Sequence, residues 1–174
     1  WVKVPSISNT TDTTIMMYYG NSGASNQEDA GNVWDTAYKG VWHLNEDSDT
    51  TRYDSTGNNN DLSDVNTVAW SGSGRIAGAA SFIQANSERL TIDDDSQTGL
   101  DITGDLTVEA WFTTDLTGTG PYTIVEKHRG SCGTGQPPYL FRLYDGDSGY
   151  EQDVLRATSV CTGDGTDVTG TTTS

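Results

Sequence analysis

The sequence predicts an all-β fold, and three observations carry that prediction. Short runs rich in β-branched and aromatic residues recur about ten to fifteen residues apart, separated by Gly, Asp and Asn turn clusters. No stretch keeps a helical 3.6-residue period for three turns. Only 33% of the 174 residues are hydrophobic, and much of that fraction is aromatic or β-branched, which suits a thin sandwich better than an α/β core. At this length a domain buries about 70% of its unfolded surface, so one sizeable core is within reach without metals or many disulfides.

Taken in order, the chain opens on Trp1, Val2, Lys3, Val4 and Pro5, which read as a strand already in progress. Because the first residue is Trp and not Met, the chain reads as a processed product or a piece of a longer polypeptide. Thr13 to Tyr19 has the composition of a buried strand and is stopped by Gly20, Asn21, Ser22 and Gly23. Ala24 to Gly31 is small, polar and acidic, and Asn32 to Lys39 brings Trp34 and Tyr38 to a junction. Residues 1–39 supply too little to make a core alone, so they must lean on something upstream or on the next domain.

From Gly40 the pattern becomes strand and turn. Gly40, Val41, Trp42, His43 and Leu44 run into an acidic loop and then into Asp54, Ser55, Thr56, Gly57, Asn58, Asn59, Asn60 and Asp61, a turn at a sheet rim. Further strands are predicted over Thr67 to Trp70, Ala79 to Ile83, Glu88 to Ile92, Tyr122 to Lys127, Tyr139 to Tyr144 and about Gln152 to Val160. Leu106 to Thr113 is the strongest, because Leu106, Val108, Ala110 and Phe112 alternate with Thr107, Glu109, Trp111 and Thr113. Asp145 and Gly146 signal the turn into the last strand. The tail from Cys161 to Ser174 is Thr, Gly and Asp and has almost nothing to bury.

Nine Lys and Arg stand against 25 Asp and Glu, a net charge of −16. That balance excludes nucleic acid and anionic membrane surfaces as partners, since both need clustered Lys and Arg. No run approaches the roughly 20 apolar residues of a membrane span, so membrane insertion is not expected. The acids are mostly short, with 19 Asp and six Glu; such residues hydrate a surface or ligate hard cations. Cys132 and Cys161, with 28 residues between them, are expected to form one disulfide in a chain that otherwise looks extracellular. Asn9, Thr10 and Thr11 form an N-glycosylation acceptor.

The order and spacing of several motifs resemble the LamG-like group of concanavalin A-like jelly rolls. They are Gly40 to Leu44, Asp54 to Asn59, Gly78, Ala79, Ala80, Ser81 and Phe82, and, most specific, Leu100, Asp101, Ile102 and Thr103 leading into Thr107, Val108, Glu109, Ala110 and Trp111. The resemblance covers about residues 40 to 160. Residues 1–39, with Trp1 to Pro5 and Ile15 to Asn21, look like the C-terminal end of a β-rich surface domain of unknown function that often precedes LamG-like domains. The resemblance implies a jelly-roll β-sandwich over residues 40–160, followed by a Thr/Gly-rich tail over 161–174. Family members continue with a Trp-His segment and a further strand, which this chain lacks. The sandwich is therefore expected to be incomplete, with the missing strands cut away or supplied by another molecule.

LamG-like domains often hold calcium at the rim, and here the hard oxygens sit on Asp54, Asn58 and Asp61, with Glu46, Asp47 and Asp49 nearby. The spacing is not that of an EF-hand loop. A hydrogen-bonded Asp-Ser-Thr-Gly turn is the other reading of the same residues. Asp93, Asp94 and Asp95 read as a solvated loop. His43 and His128 have no partners at zinc or catalytic spacing. Jelly-roll glycosidases place two carboxyls roughly 5 to 9 Å apart on a strand; beside Glu109 stand Thr107, Trp111 and Thr113, so no enzyme is expected. Trp42, Trp70 and Trp111 either stack sugars or fill the core. The expected function is a non-catalytic extracellular binding or adhesion module that recognises glycan or protein through rim loops. The alternative is a structural filament subunit that self-assembles by strand pairing between copies.

Overall fold

The structure, a computed structural model, describes residues 1–102, 104–114, 120–127, 139–145 and 154–159. The chain divides into two compact units, Trp1–Thr98 and Gly99–Ser174. The fold is all-β: its strands pair antiparallel, and the described residues hold one single-turn α-helix, α1 (Ala30–Val33).

In the first unit β1 (Thr51–Arg52), β2 (Leu62–Val65), β3 (Ala69–Ser71), β4 (Ala79–Ser81) and β5 (Arg89–Thr91) are all short. They form a three-stranded sheet in the order β1-β2-β5 and a β3-β4 ribbon. The register pairs Arg52 with Leu62, Ser63 with Thr91 and Trp70 with Ala80. A two-residue strand such as β1 needs help from side chains, and Arg52 provides it. Its guanidinium is 2% exposed and pairs with Asp64 on β2 at 3.2 Å. It also donates to the carbonyls of Asp49 and, at 3.1 Å, Val68 just before β3. The buried groups of this unit are mostly polar: beside Val68 they are Arg52, Asp54, Thr56 and Asn60.

In the second unit β6 (Gly120–Lys127), β7 (Tyr139–Asp145) and β8 (Val154–Ser159) form one antiparallel sheet with β7 in the middle. A register shift between Thr123 and Val125 marks a bulge in β6. Leu143 on the central strand is buried. Arg142 bridges across to β6, donating to Thr123 Oγ1 at 3.0 Å and pairing with Glu126 at 3.3 Å. Lys127 Nζ lies 2.6 Å from Asp101 Oδ1.

Three predicted strands are not formed among the described residues, the first of them Trp1 to Pro5, which pairs with no strand. Thr13 to Tyr19 lies outside every sheet, with Tyr18 93% and Tyr19 89% exposed. Leu106 to Thr113 is likewise in no sheet, and Leu106 and Phe112 on its apolar face are exposed. Composition and alternation state which surface a strand would fit, whereas a strand forms only where a neighbour completes its hydrogen-bond ladder. The reverse error occurs at β1 and β2, too short and too polar to be seen in advance. No helix among the described residues is long and apolar enough to cross a membrane.

Candidate functional site

Asp54 is the centre of the Gly40 to Asp61 stretch. Trp42 and Asp54 form an isolated antiparallel bridge, reinforced by Ser55 N donating to Val41 O at 2.8 Å. The Asp54 carboxylate then takes four donors. Oδ1 accepts from the backbone N–H of Val41 and of Thr56, each at 2.9 Å. Oδ2 accepts from Thr56 Oγ1 at 2.7 Å and from Asn60 N at 3.0 Å. Asp61 closes the loop, its Oδ1 accepting from Asp54 N at 2.8 Å.

The two flanking asparagines fasten this turn to other segments. Asn58 Nδ2 donates to Tyr38 O at 3.1 Å and to Lys39 O at 3.3 Å. Asn60, fully buried, donates to Lys39 O at 2.7 Å and Thr98 O at 2.9 Å, and accepts from Thr98 N at 2.7 Å. Its own carbonyl takes the Trp42 indole N–H at 2.8 Å. A side chain on Gly40 would meet the Trp42 ring at 2.2 Å, so glycine is required there. Trp42 is thus a structural tryptophan.

The structure brings Asp54, Asn58 and Asp61 together in one hydrogen-bonded turn. Both Asp54 oxygens accept protein donors, and the Asn58 amide N–H groups point at backbone carbonyls. Among the described residues no group of three or more His, Cys, Asp or Glu is arranged to hold a metal. Asp61 and Asp93 share a polar recess of about 240 Å³ with Ser63 and Thr91. Asp93 precedes a 3₁₀ turn, Asp94–Ser96, and all three of Asp93, Asp94 and Asp95 are exposed.

The other nearby acids have local tasks. Glu46 Oε1 accepts from Tyr53 N at 3.0 Å, and Asp49 accepts the Tyr53 hydroxyl at 2.7 Å and Thr51 N at 3.0 Å. The Tyr53 bond, then the Thr51 bond, holds Asp49 below its ordinary range, and the same carboxylate pushes the Tyr53 phenol up. Asp47 is exposed. Asn9 lies on an exposed bend where Ser8 Oγ accepts from Thr10 N at 3.2 Å and Thr11 N at 3.1 Å. Glu109 is exposed on the unformed strand. Trp70 lies half exposed over Gly78, and Trp111 is 77% exposed. His128, Cys132, Cys161, Gly146 and the tail lie outside the described residues.

One cluster went unnoticed in the sequence. The Trp1 indole N–H donates to His43 Nδ1 at 3.2 Å, with the two ring planes 14° apart. Trp34 meets Trp1 edge-on at 5.3 Å, and Tyr38 meets Trp34 edge-on at 5.0 Å. Burial holds the His43 imidazole below its usual value, with Glu46 opposing. An imidazole kept neutral has the Nδ1 lone pair that this hydrogen bond requires. Trp1 remains 69% exposed and lines an open groove of about 610 Å³ together with Lys3, Gln27, Glu28 and Asn32. Residues 1–39 therefore lean on the Gly40 to Asp61 stretch through aromatic rings and asparagine amides. Trp34 and Tyr38 are near neighbours in sequence, but Trp1 joins them and His43 from far along the chain, so no spacing rule could have found the whole cluster.

Fold and site together define an all-β chain with a hydrogen-bonded acidic turn beside an exposed aromatic groove. Residues 1–71 match the family described as a domain of unknown function, DUF2341. That stretch contains the groove, the ring cluster and the Asp54 turn. No curated protein and no solved structure matches the chain.

Proposed function

We propose that the chain is a non-catalytic binding or adhesion module of an extracellular, cell-surface protein, with a LamG-like jelly roll over residues 40–160, and that it recognises glycan or protein through loop residues. The observation that carries this reading is the ring cluster of Trp1, Trp34, Tyr38 and His43, gathered by loops and left open to solvent at Trp1 and Tyr38. Exposed aromatic surface beside polar groups is the composition of a recognition site. Loops fixed to a hydrogen-bonded base are where binding residues collect. The test is to screen the full chain against a glycan array and against surface proteins by interferometry. Saturable binding to either class supports the module; hydrolysis of a glycan, lost in Glu109→Gln, would replace it with an enzyme.

A second reading rests on a different observation. Ile15, Met16, Met17, Tyr18 and Tyr19 are all exposed, carry no charge and lie in no sheet. With alternating side chains, both faces of such a segment are apolar, as in a strand covered on both sides. This favours a structural subunit in which the segment completes a sheet of another copy. Sedimentation that shifts with concentration, and stops shifting in Met17→Asp, supports assembly. A monomer at every concentration removes it.

A further inference from the structure

We propose that the groove beside Trp1 is a subsite for a neutral pyranose, with the indole taking the C–H face of the sugar and an acceptor wall of Gln27, Glu28 and Asn32 taking its hydroxyls. The inference rests on the binding-module reading and specifies its ligand class and its residues.

The wall is acceptor-rich for a reason that can be followed bond by bond. Gln27 Nε2 donates to Ser25 O at 3.3 Å and to Ser25 Oγ at 2.8 Å. Asn32 Nδ2 donates to Asp29 Oδ2 at 2.5 Å, and Asn26 Nδ2 donates to Glu28 Oε2 at 3.0 Å. A carbonyl or carboxylate partner can only accept, which fixes the orientation of all three amides. Gln27 Oε1, Asn32 Oδ1 and Glu28 Oε1 then have no donor among the described residues. Such a wall is satisfied by a ligand that brings several O–H donors, as the hydroxyl edge of a sugar does.

The other half of the subsite is the indole. His43 holds its N–H and Trp34 abuts it edge-on, so Trp1 is fixed in place while remaining 69% exposed. A ring immobilised before the ligand arrives costs less entropy on binding. Its π-face carries negative charge density and suits the polarised C–H bonds of a pyranose. Charge decides between sugar classes. Glu28 and Asp29 line the groove in a chain of net charge −16, which disfavours uronic or sialic acids, while Lys3 on the same lining disfavours an amine. A neutral hexose remains.

The test titrates the full chain with methyl glucoside, methyl mannoside, methyl galactoside and their short oligosaccharides by calorimetry. At least one is expected to bind saturably, Trp1→Ala to weaken it about tenfold, and Gln27→Leu, which leaves the ring cluster intact, to weaken it several-fold. Trp70→Ala is expected to leave the affinity unchanged. Sugar binding that survives Trp1→Ala and Gln27→Leu overturns the groove and leaves the module standing elsewhere on the chain. Absence of sugar binding also overturns it. In that case, binding to a surface protein would keep the module reading, and its absence would remove that reading as well.

Discussion

Asp54 carries more of the first unit than any apolar residue there. Its carboxylate satisfies the backbone N–H groups of Val41, Thr56 and Asn60 together with the Thr56 hydroxyl, and so joins one strand edge to both ends of the following turn. Removing the side chain leaves these donors buried without acceptors, at about 1–3 kcal/mol for each unsatisfied group. Asp54→Ala is therefore expected to lose about 2–4 kcal/mol in urea unfolding, and Asp54→Asn less, since its amide keeps one accepting oxygen. A loss below about 0.5 kcal/mol, the level of an ordinary surface substitution, would show that Asp54 does not organise the turn. The turn itself was legible in the sequence, because Asp, Ser, Thr and Gly in succession offer acceptors and tight backbone angles. Which Asn is buried was not. Asn58, Asn59 and Asn60 are chemically identical, and only the fold decides that Asn60 faces Lys39 and Thr98 while Asn59 adopts a positive φ of 55°.

At the scale of elements, side-chain clamps replace length. β1 has two residues, and the Arg52 guanidinium ties it to Asp64 on β2 and to Val68 at the entry of β3. Breaking one partner of a buried pair strands the other charge, which costs about 3–5 kcal/mol. Arg52→Met is expected to cost that much, whereas Arg52→Met combined with Asp64→Leu recovers a large part of it because neither charge is then left alone. Hydrogen exchange at Ser63 and Asp64 reads the result locally, and equal protection in the single and double variants would refute the clamp. This mechanism also explains which elements could be read in advance. Strand β6 has eight residues and β7 seven, both with strong β composition, and they fall where the pattern put them. Strands β1 and β2 are held by one arginine and one aspartate, which no hydrophobic period records. Thr13 to Tyr19 has the composition and Leu106 to Thr113 the period, but no neighbouring strand pairs with them among the described residues, so the pattern alone does not make a strand.

Across the whole molecule, 25 acids against nine bases make every cation a general stabiliser, since screening relieves self-repulsion. That effect has to be separated from a specific site. A calcium site with a dissociation constant near 10 µM would add about 2.7 kcal/mol at about 1 mM calcium, which raises the unfolding temperature by several degrees for a chain of this size. Magnesium has the same charge but strips its water reluctantly and demands octahedral geometry, so it reproduces screening without reproducing such a site. In the Gly40 to Asp61 stretch the Asp54 oxygens already accept four protein donors and Asp61 Oδ1 accepts a fifth, so an ion held by these oxygens would have to displace donors that the turn uses. Calcium and magnesium at about 1 mM are therefore expected to shift the unfolding temperature equally relative to chelator. Differential scanning calorimetry of the wild type checks this, and a calcium-only rise of about 4 °C or more, abolished by Asp61→Asn, would mean that the turn opens to hold the ion.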